Sequence, residues 1–408
     1  MEKLILNNNV YIVQGAKYDC IYDLNHRYLY HINHNTAGLL YKVITGKTDQ
    51  KYSAQEEKMI HQFLECGFLV DEDGSIEKLI TIKDDHCIRK VWIEITQKCN
   101  FNCIHCYEGE KQAVEMSLSD IKHIIDQLEL NSVKELQIIG GEPMLHSRFL
   151  DILDYCSGKF ELISVFTNGT LISSDIIERL KKLNATVYVS LHANKEEDFD
   201  KITRSKGMYA KVLKNIESLR DSGLKTIIKR CEFTGVDSAN PCNRKDEGGF
   251  PVLVGNANIN QYSMDMLKRK VVSPSSFEEQ LNVHSVLENM TMHHCFRDRI
   301  YIDVKQDVYP CVLERRIKHG NIRNNELCSI INTSIKSITK DHVDECKNCE
   351  YRYACNTCFP DTMSSWLYAK PWFCTYKPEE GKWISVEELA ERLGFDLIGQ
   401  KAERGLSH

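Results

Sequence analysis

Residues 95–109 read ITQKCNFNCIHCYEG and continue the strand-like run VWIEIT at 91–96. Three cysteines, Cys99, Cys103 and Cys106, stand in it with the spacing C-x3-C-x2-C. Thiolates are soft, charge-rich ligands that suit iron–sulfur clusters and zinc. A structural zinc site is closed by four protein ligands. Three close thiolates suggest instead a cuboidal 4Fe–4S cluster with one iron left open. That iron can bind a small molecule through its amino and carboxylate groups. Part of a zinc knuckle, or three buried unliganded thiols, would look alike locally, and the downstream motifs must decide.

Downstream, residues 88–233 alternate strand and helix. After VWIEIT come the helix SLSDIKHIIDQLEL, capped by Ser117 or Ser119, and the strand ELQIIGGEP. ELISVFTNGT, TVYVSLHA and KTIIKRC read as further strands, with helices between them. Repeated βα units imply a parallel sheet with its site at the strand C-terminal ends. The motif residues fall there. Gly140 and Gly141 let a backbone approach a ligand closely. Glu142 can accept from an ammonium group, and such a charged pair is worth more than a neutral one. Thr167-Asn168-Gly169 and Ser190-Leu191-His192 end the next two strands.

Together the cysteine spacing and Gly-Gly-Glu-Pro resemble the radical S-adenosylmethionine (radical SAM) superfamily. The resemblance implies a partial (β/α)6 barrel, a 4Fe–4S cluster on Cys99, Cys103 and Cys106, and SAM on the open iron. It places Gly140, Gly141 and Glu142 at the SAM amino group, and Thr167, Asn168 and Ser190 at its carboxylate or ribose. His105 falls where the family packs a ring against the adenine. Many relatives have Asp where this chain has His192.

Further along, eight cysteines lie between residues 295 and 374. Four-ligand zinc sites are one reading of them. The pattern also resembles the SPASM domain, which holds one or two auxiliary 4Fe–4S clusters. The resemblance assigns Cys346, Cys349, Cys355 and Cys374 to one cluster, and Cys295, Cys311 and Cys358 to the other. The chain departs from that pattern at Gln306, where a Gly is usual, and in the last interval. Cys328 is a candidate fourth ligand. Finer likeness, in CKNCEYRYACNTC and KPWFCTYKPEEGKW, is to grasp-with-spasm peptide maturases, which are encoded beside an ATP-grasp ligase and a small precursor peptide.

Ahead of the barrel, residues 1–85 read as strands at Val10–Gln14, Asp19–Leu24 and Arg27–His31. Helices follow at Thr36–Thr45 and Ala54–Cys66, then the wing FLVDEDG. Ser53 with Glu56 makes a capping box. This stretch resembles the PqqD-like winged-helix module that binds leader peptides. The expected organisation is an α/β protein with this module at 1–85, a radical SAM core at 88–290, a SPASM domain at 291–385 and a helical tail at 386–408. FPVLVGNA is expected to supply the last barrel strand.

Composition narrows the class further. The chain has 408 residues, 42% hydrophobic, with a net charge of −6 and no long basic run. That argues against a nucleic-acid partner, since phosphate neutralisation needs clustered cations. No apolar run approaches the roughly 18 residues that span a bilayer. Close cysteine spacings suit metals in a reducing cytoplasm better than disulfides.

The expected activity is radical modification of a ribosomally made precursor peptide, bound by its leader, with an external one-electron reductant. The product would be a thioether or carbon–carbon crosslink. A sulfatase-maturing or peptide-epimerising enzyme is the alternative within radical chemistry. A leader-binding scaffold with structural zinc is the alternative outside it.

Overall fold

The computed structural model describes residues 3–46, 51–72, 88–106, 108, 112–231, 261–278, 280–334, 338–357, 366–394 and 396–398. FPVLVGNA and Cys358 lie outside them. Contacts gather the chain into two compact units, each built from separated stretches.

The larger unit takes His86–Leu267, Cys295–Lys336 and Gly394–His408. Its sheet has strands β1 Lys90–Glu94, β2 Glu135–Ile139, β3 Leu162–Thr167, β4 Thr186–Ser190, β5 Lys225–Lys229, β6 Arg299–Ile302, β7 Asp307–Tyr309 and β8 Gly320–Asn321, in the order β5-β4-β3-β2-β1-β6-β7-β8. The six strands from β5 to β6 run parallel, whereas β7 and β8 are antiparallel additions. In register, Val91 faces Leu136 and Leu136 faces Ile163. The strands are short and apolar because helices cover them. Leu118–Leu130 is one such helix, with Ser117 accepting from Asp120 N at its start. It buries Ile121, Ile124, Ile125 and Leu128 on one stripe. Each such side chain contributes roughly 1.5–3 kcal/mol. β6 comes from beyond the stretch read as the core, and it adds outside β1.

The smaller unit takes Met1–Asp85, Lys268–His294 and Ser337–Leu393. Strands Val10–Val13, Asp19–Asp23 and Tyr28–Ile32 form an antiparallel sheet, with Asp19–Asp23 in the centre. That central strand is buried throughout, while Tyr28–Ile32 is an edge strand among the described residues. Leu4–Leu6 pairs with Leu69–Asp71. The helix His34–Thr45 starts two residues before the expected Thr36, because the Asn33 side chain accepts from Thr36 N as its cap. Ala54–Glu65 carries the Ser53–Glu56 capping box. Val13, Cys20, Tyr22 and Leu24 pack with Leu281, Val286 and Leu287, so separated stretches share one core. Tyr22 OH donates to Glu350 O at 2.7 Å.

Candidate active site

In the larger unit, the cysteine loop leaves β1 and is pinned on several sides. Gly141 N donates to Thr96 O, and Glu142 N to Lys98 O, both at 2.8 Å. Asn102 N and Ile104 N donate to Thr203 O and Ile202 O. Asn100 joins the loop to the β3 end, donating to Thr170 Oγ1 at 2.8 Å and accepting from Asn168 Nδ2 at 2.7 Å. The glycines are sterically required. A Cβ on Gly141 would sit 2.6 Å from both Gln97 O and Lys98 O, and 2.9 Å from Cys99 Cβ. One on Gly140 would sit 2.5 Å from Thr96 O.

Cys99, Cys103 and Cys106 line one cavity of about 280 Å³ with Gly140 and Gly141. Thr167, Asn168 and Ser190, from the ends of β3 and β4, give it polar groups. Trp92, Phe101, Ile139 and Phe166 add an apolar lining. Three thiols in one cavity with hydroxyl and amide groups are the donor set that a three-ligand cluster and a zwitterionic ligand require. The residues present therefore fit both groups.

Glu142 is placed differently from the direct ammonium contact expected of it. It is 0% exposed and is not among the residues lining the cavity. Its carboxylate accepts from Asn168 N at 2.7 Å, Thr167 Oγ1 at 2.9 Å and Met144 N at 3.1 Å. Burial pushes it up to about 7 despite those donors.

His105 and His192 line the same cavity, edge to face with ring centroids 4.4 Å apart. His192 Nδ1 accepts from Cys231 N at 3.1 Å, so in the neutral ring the proton sits on Nε2. Burial first, then His105 and Arg230, hold this imidazole well below its ordinary range. Burial and Cys103 push the Cys231 thiol up to about 12.

Glu108 also lines the cavity and was not singled out from the sequence. It pairs with Arg315, whose Nη2 also donates to Tyr301 OH at 2.9 Å. Glu94 is fully buried, and its Oε2 accepts from Val304 N at 3.0 Å. Burial, then the Glu108 charge, push it up to about 7. No spacing rule links Glu94, Glu108 and Arg315. Only β6 and the loop after Cys311 bring them together.

In the smaller unit, Cys346, Cys349, Cys355 and Cys374 line a second pocket. Tyr351, Tyr376 and Trp383 wall it, with Tyr376 and Trp383 ring centroids 4.6 Å apart. Burial pushes Cys346 up to about 12 and raises Cys349 and Cys374. Cys355 is also buried, but the Lys340 ammonium and the Thr357 bonds bring it below its ordinary range.

Cys295 and Cys311 belong to the larger unit, and Cys311 Sγ accepts from Glu314 N at 3.3 Å. Gln306, at the position of the usual Gly, has φ 70°. A left-handed backbone thus stands here on a residue that does not adopt it freely.

Residues 93–233 match the model of the Radical SAM superfamily. Over 135 residues the chain is 37% identical to the antilisterial bacteriocin subtilosin biosynthesis protein AlbA of Bacillus subtilis, covering 32% of this chain and 30% of AlbA. Over 133 residues it is 32% identical to the mycofactocin maturase MftC of Mycolicibacterium smegmatis, covering 32% and 34%. The chain thus spans about a third of the length of these curated relatives. The crystal structure of Streptococcus suis SuiB bound to S-adenosylmethionine matches with a TM-score of 0.52 at 13% identity, over 93% of this chain and 99% of SuiB. SuiB bound to precursor peptide SuiA gives 0.51 at 13% identity, over 90% and 98%. These two show likeness of fold. Among the described residues, no helix is long and apolar enough to cross a membrane.

Proposed function

We propose, from the premise that residues 93–233 form a radical SAM domain, that this chain modifies a ribosomally made precursor peptide. The observation that carries the proposal is the set of three thiols lining one cavity with Thr167, Asn168 and Ser190. Cys99, Cys103 and Cys106 would hold the 4Fe–4S cluster. Bound together, the cluster and SAM supply a 5′-deoxyadenosyl radical when an external reductant provides one electron. The chain's own residues bind, orient and exclude water. Gly140 and Gly141 give the ligand room to reach the backbone. Thr167, Asn168 and Ser190 offer hydroxyl and amide groups to its carboxylate or ribose. Glu142 acts from behind, fixing Thr167 and Asn168. His105 and His192 offer ring surface to a base, while Trp92 and Phe166 keep water out.

The peptide reading draws on the relatives and on the smaller unit. AlbA is named for subtilosin biosynthesis, and SuiB was crystallised with a precursor peptide. Among the described residues Tyr28–Ile32 pairs on one side only, so an extended leader can add to it as a further strand. Tyr28 and Tyr30 stand 47% and 40% exposed along it, amphipathic rings suited to a peptide interface. Residues 1–85 would thus be the leader-binding module, and Cys346, Cys349, Cys355 and Cys374 an auxiliary 4Fe–4S site. A thioether or carbon–carbon crosslink is the product we favour, with an ATP-grasp ligase as a neighbouring partner.

Removing residues 1–85 would strip Tyr22 from Glu350, so point changes are the cleaner test. Tyr28→Asp with Tyr30→Asp should slow modification of the co-encoded precursor, followed by mass spectrometry, more than tenfold. Peptide-independent formation of 5′-deoxyadenosine should stay unchanged. Equal rates on precursor would remove the leader-binding role.

A further inference from the structure

We propose that Lys340 sets the reduction potential of the group held by Cys346, Cys349, Cys355 and Cys374, making it the readier electron acceptor. The inference rests on the reading above that these four thiolates carry a 4Fe–4S cluster. Lys340 opens a short helical turn capped by Thr339 and is only 5% exposed. Its ammonium lies 3.0 Å from Cys355 Sγ and donates to Thr357 Oγ1. Among the described residues no carboxylate forms an ion pair with it. A lysine is rarely buried without a carboxylate, and here thiolate sulfur takes that place.

A second lysine gives the contrast. Lys370 Nζ donates to Glu345 Oε2 at 2.9 Å and to the Tyr376 carbonyl. Its charge is shared between Cys374 and the Glu345 carboxylate, whereas that of Lys340 is directed to sulfur. Cluster potentials follow net charge, hydrogen bonds to sulfur and solvent exposure. One-electron reduction adds one negative charge, breaks no bond and takes its electron from a low-potential donor. A buried cation with no carboxylate ion pair among the described residues, in a pocket walled by Tyr351, Tyr376 and Trp383, favours the more negative state. The hydrogen bond to Cys355 Sγ acts in the same direction.

The test uses full-length, anaerobically reconstituted protein with Lys340→Gln, Lys340→Met, Lys340→Arg and Lys370→Met. Iron and sulfide are counted per chain. Midpoint potentials come from titration followed by electron paramagnetic resonance, and the relevant signal is the one lost in Cys374→Ala. Both neutral Lys340 variants should keep their iron and sulfide. Their potential should fall by at least tenfold in the reduction equilibrium, about 59 mV for one electron. Lys340→Arg should stay near the parent, and Lys370→Met should shift less than the neutral Lys340 variants. An unchanged potential in loaded neutral variants would overturn the proposal. So would loss of the cluster from both neutral variants while Lys340→Arg retains it, since Lys340 would then hold the group rather than tune it. An unmodified protein without iron and sulfide at these cysteines would overturn the cluster reading itself, and the proposal with it.

Discussion

The two cysteine pockets differ in what surrounds the sulfur. The first has three thiols, two glycines with no room for a side chain, and hydroxyl and amide groups from strand ends. The second has four thiols, aromatic walls and a buried ammonium. Three thiols beside a roomy cavity leave a coordination position for something that must react. Four thiols in a tight, aromatic-walled pocket would, on the reading proposed above, leave none, which suits storing or passing an electron. The difference parallels that between open catalytic and closed structural zinc sites, where the unfilled position marks the chemistry. It also locates the tuning. The open pocket is shaped by the approach of backbone, and the closed one by charge.

Changing Cys99, Cys103 and Cys106 together to Ala should break the comparison most sharply. Reductive formation of 5′-deoxyadenosine should fall to background, while iron and sulfide on the C-terminal cysteines remain. Retained SAM cleavage would refute the assignment of the first pocket.

Gly141→Ala should give the next largest effect. Its Cβ would press on two carbonyl oxygens and Cys99 Cβ, and backbone cannot turn aside as a flexible side chain can. Overpacking of this kind costs roughly 1–3 kcal/mol. Iron bound by the first set should drop, with the second set unaffected. A fully loaded first pocket would show that the glycine cradle is not needed.

Much of this contrast was legible in the sequence because it is local. C-x3-C-x2-C, Gly-Gly-Glu-Pro and the strand-end Thr167, Asn168 and Ser190 each follow a β-strand, so one parallel sheet carries them to one edge. Ser53 and Glu56 likewise announce a helix start within four residues. What stayed hidden was non-local. Arg299–Ile302 is short and sits among cysteines, and nothing nearby says that it pairs with Lys90–Glu94. Glu108 and Arg315 meet only because that pairing brings the loop after Cys311 to the cavity. Lys340 looks like an ordinary surface lysine until the C-terminal loops enclose it. Glu142 was singled out by motif, but its burial behind Thr167 and Asn168 is a packing result that no spacing encodes.

The smallest expected effect separates the pockets by pH. Burial first pushes Glu142 up to about 7, with the Asn168, Met144 and Thr167 donors opposing it. In the unfolded chain a glutamate titrates near about 4.3. Between those values the native protein holds a proton that the unfolded chain has released, so stability must fall as pH rises through the window. Two to three pH units correspond to roughly 3–4 kcal/mol at most. Glu94, raised by burial and by Glu108, adds in the same sense. Denaturant unfolding of SAM-free protein under reducing conditions should therefore show higher stability near pH 5 than near pH 7. Glu142→Gln keeps the amide oxygen as an acceptor for Asn168 N and removes the titration, so its stability should vary less across the same range. Lys340→Gln, in the closed pocket, should leave that slope unaltered. If Glu142→Gln kept the parent's full slope, the buried carboxyl behind the open pocket would not be protonated in the folded protein, and Thr167 and Asn168 would be held by a carboxylate at every pH in the window.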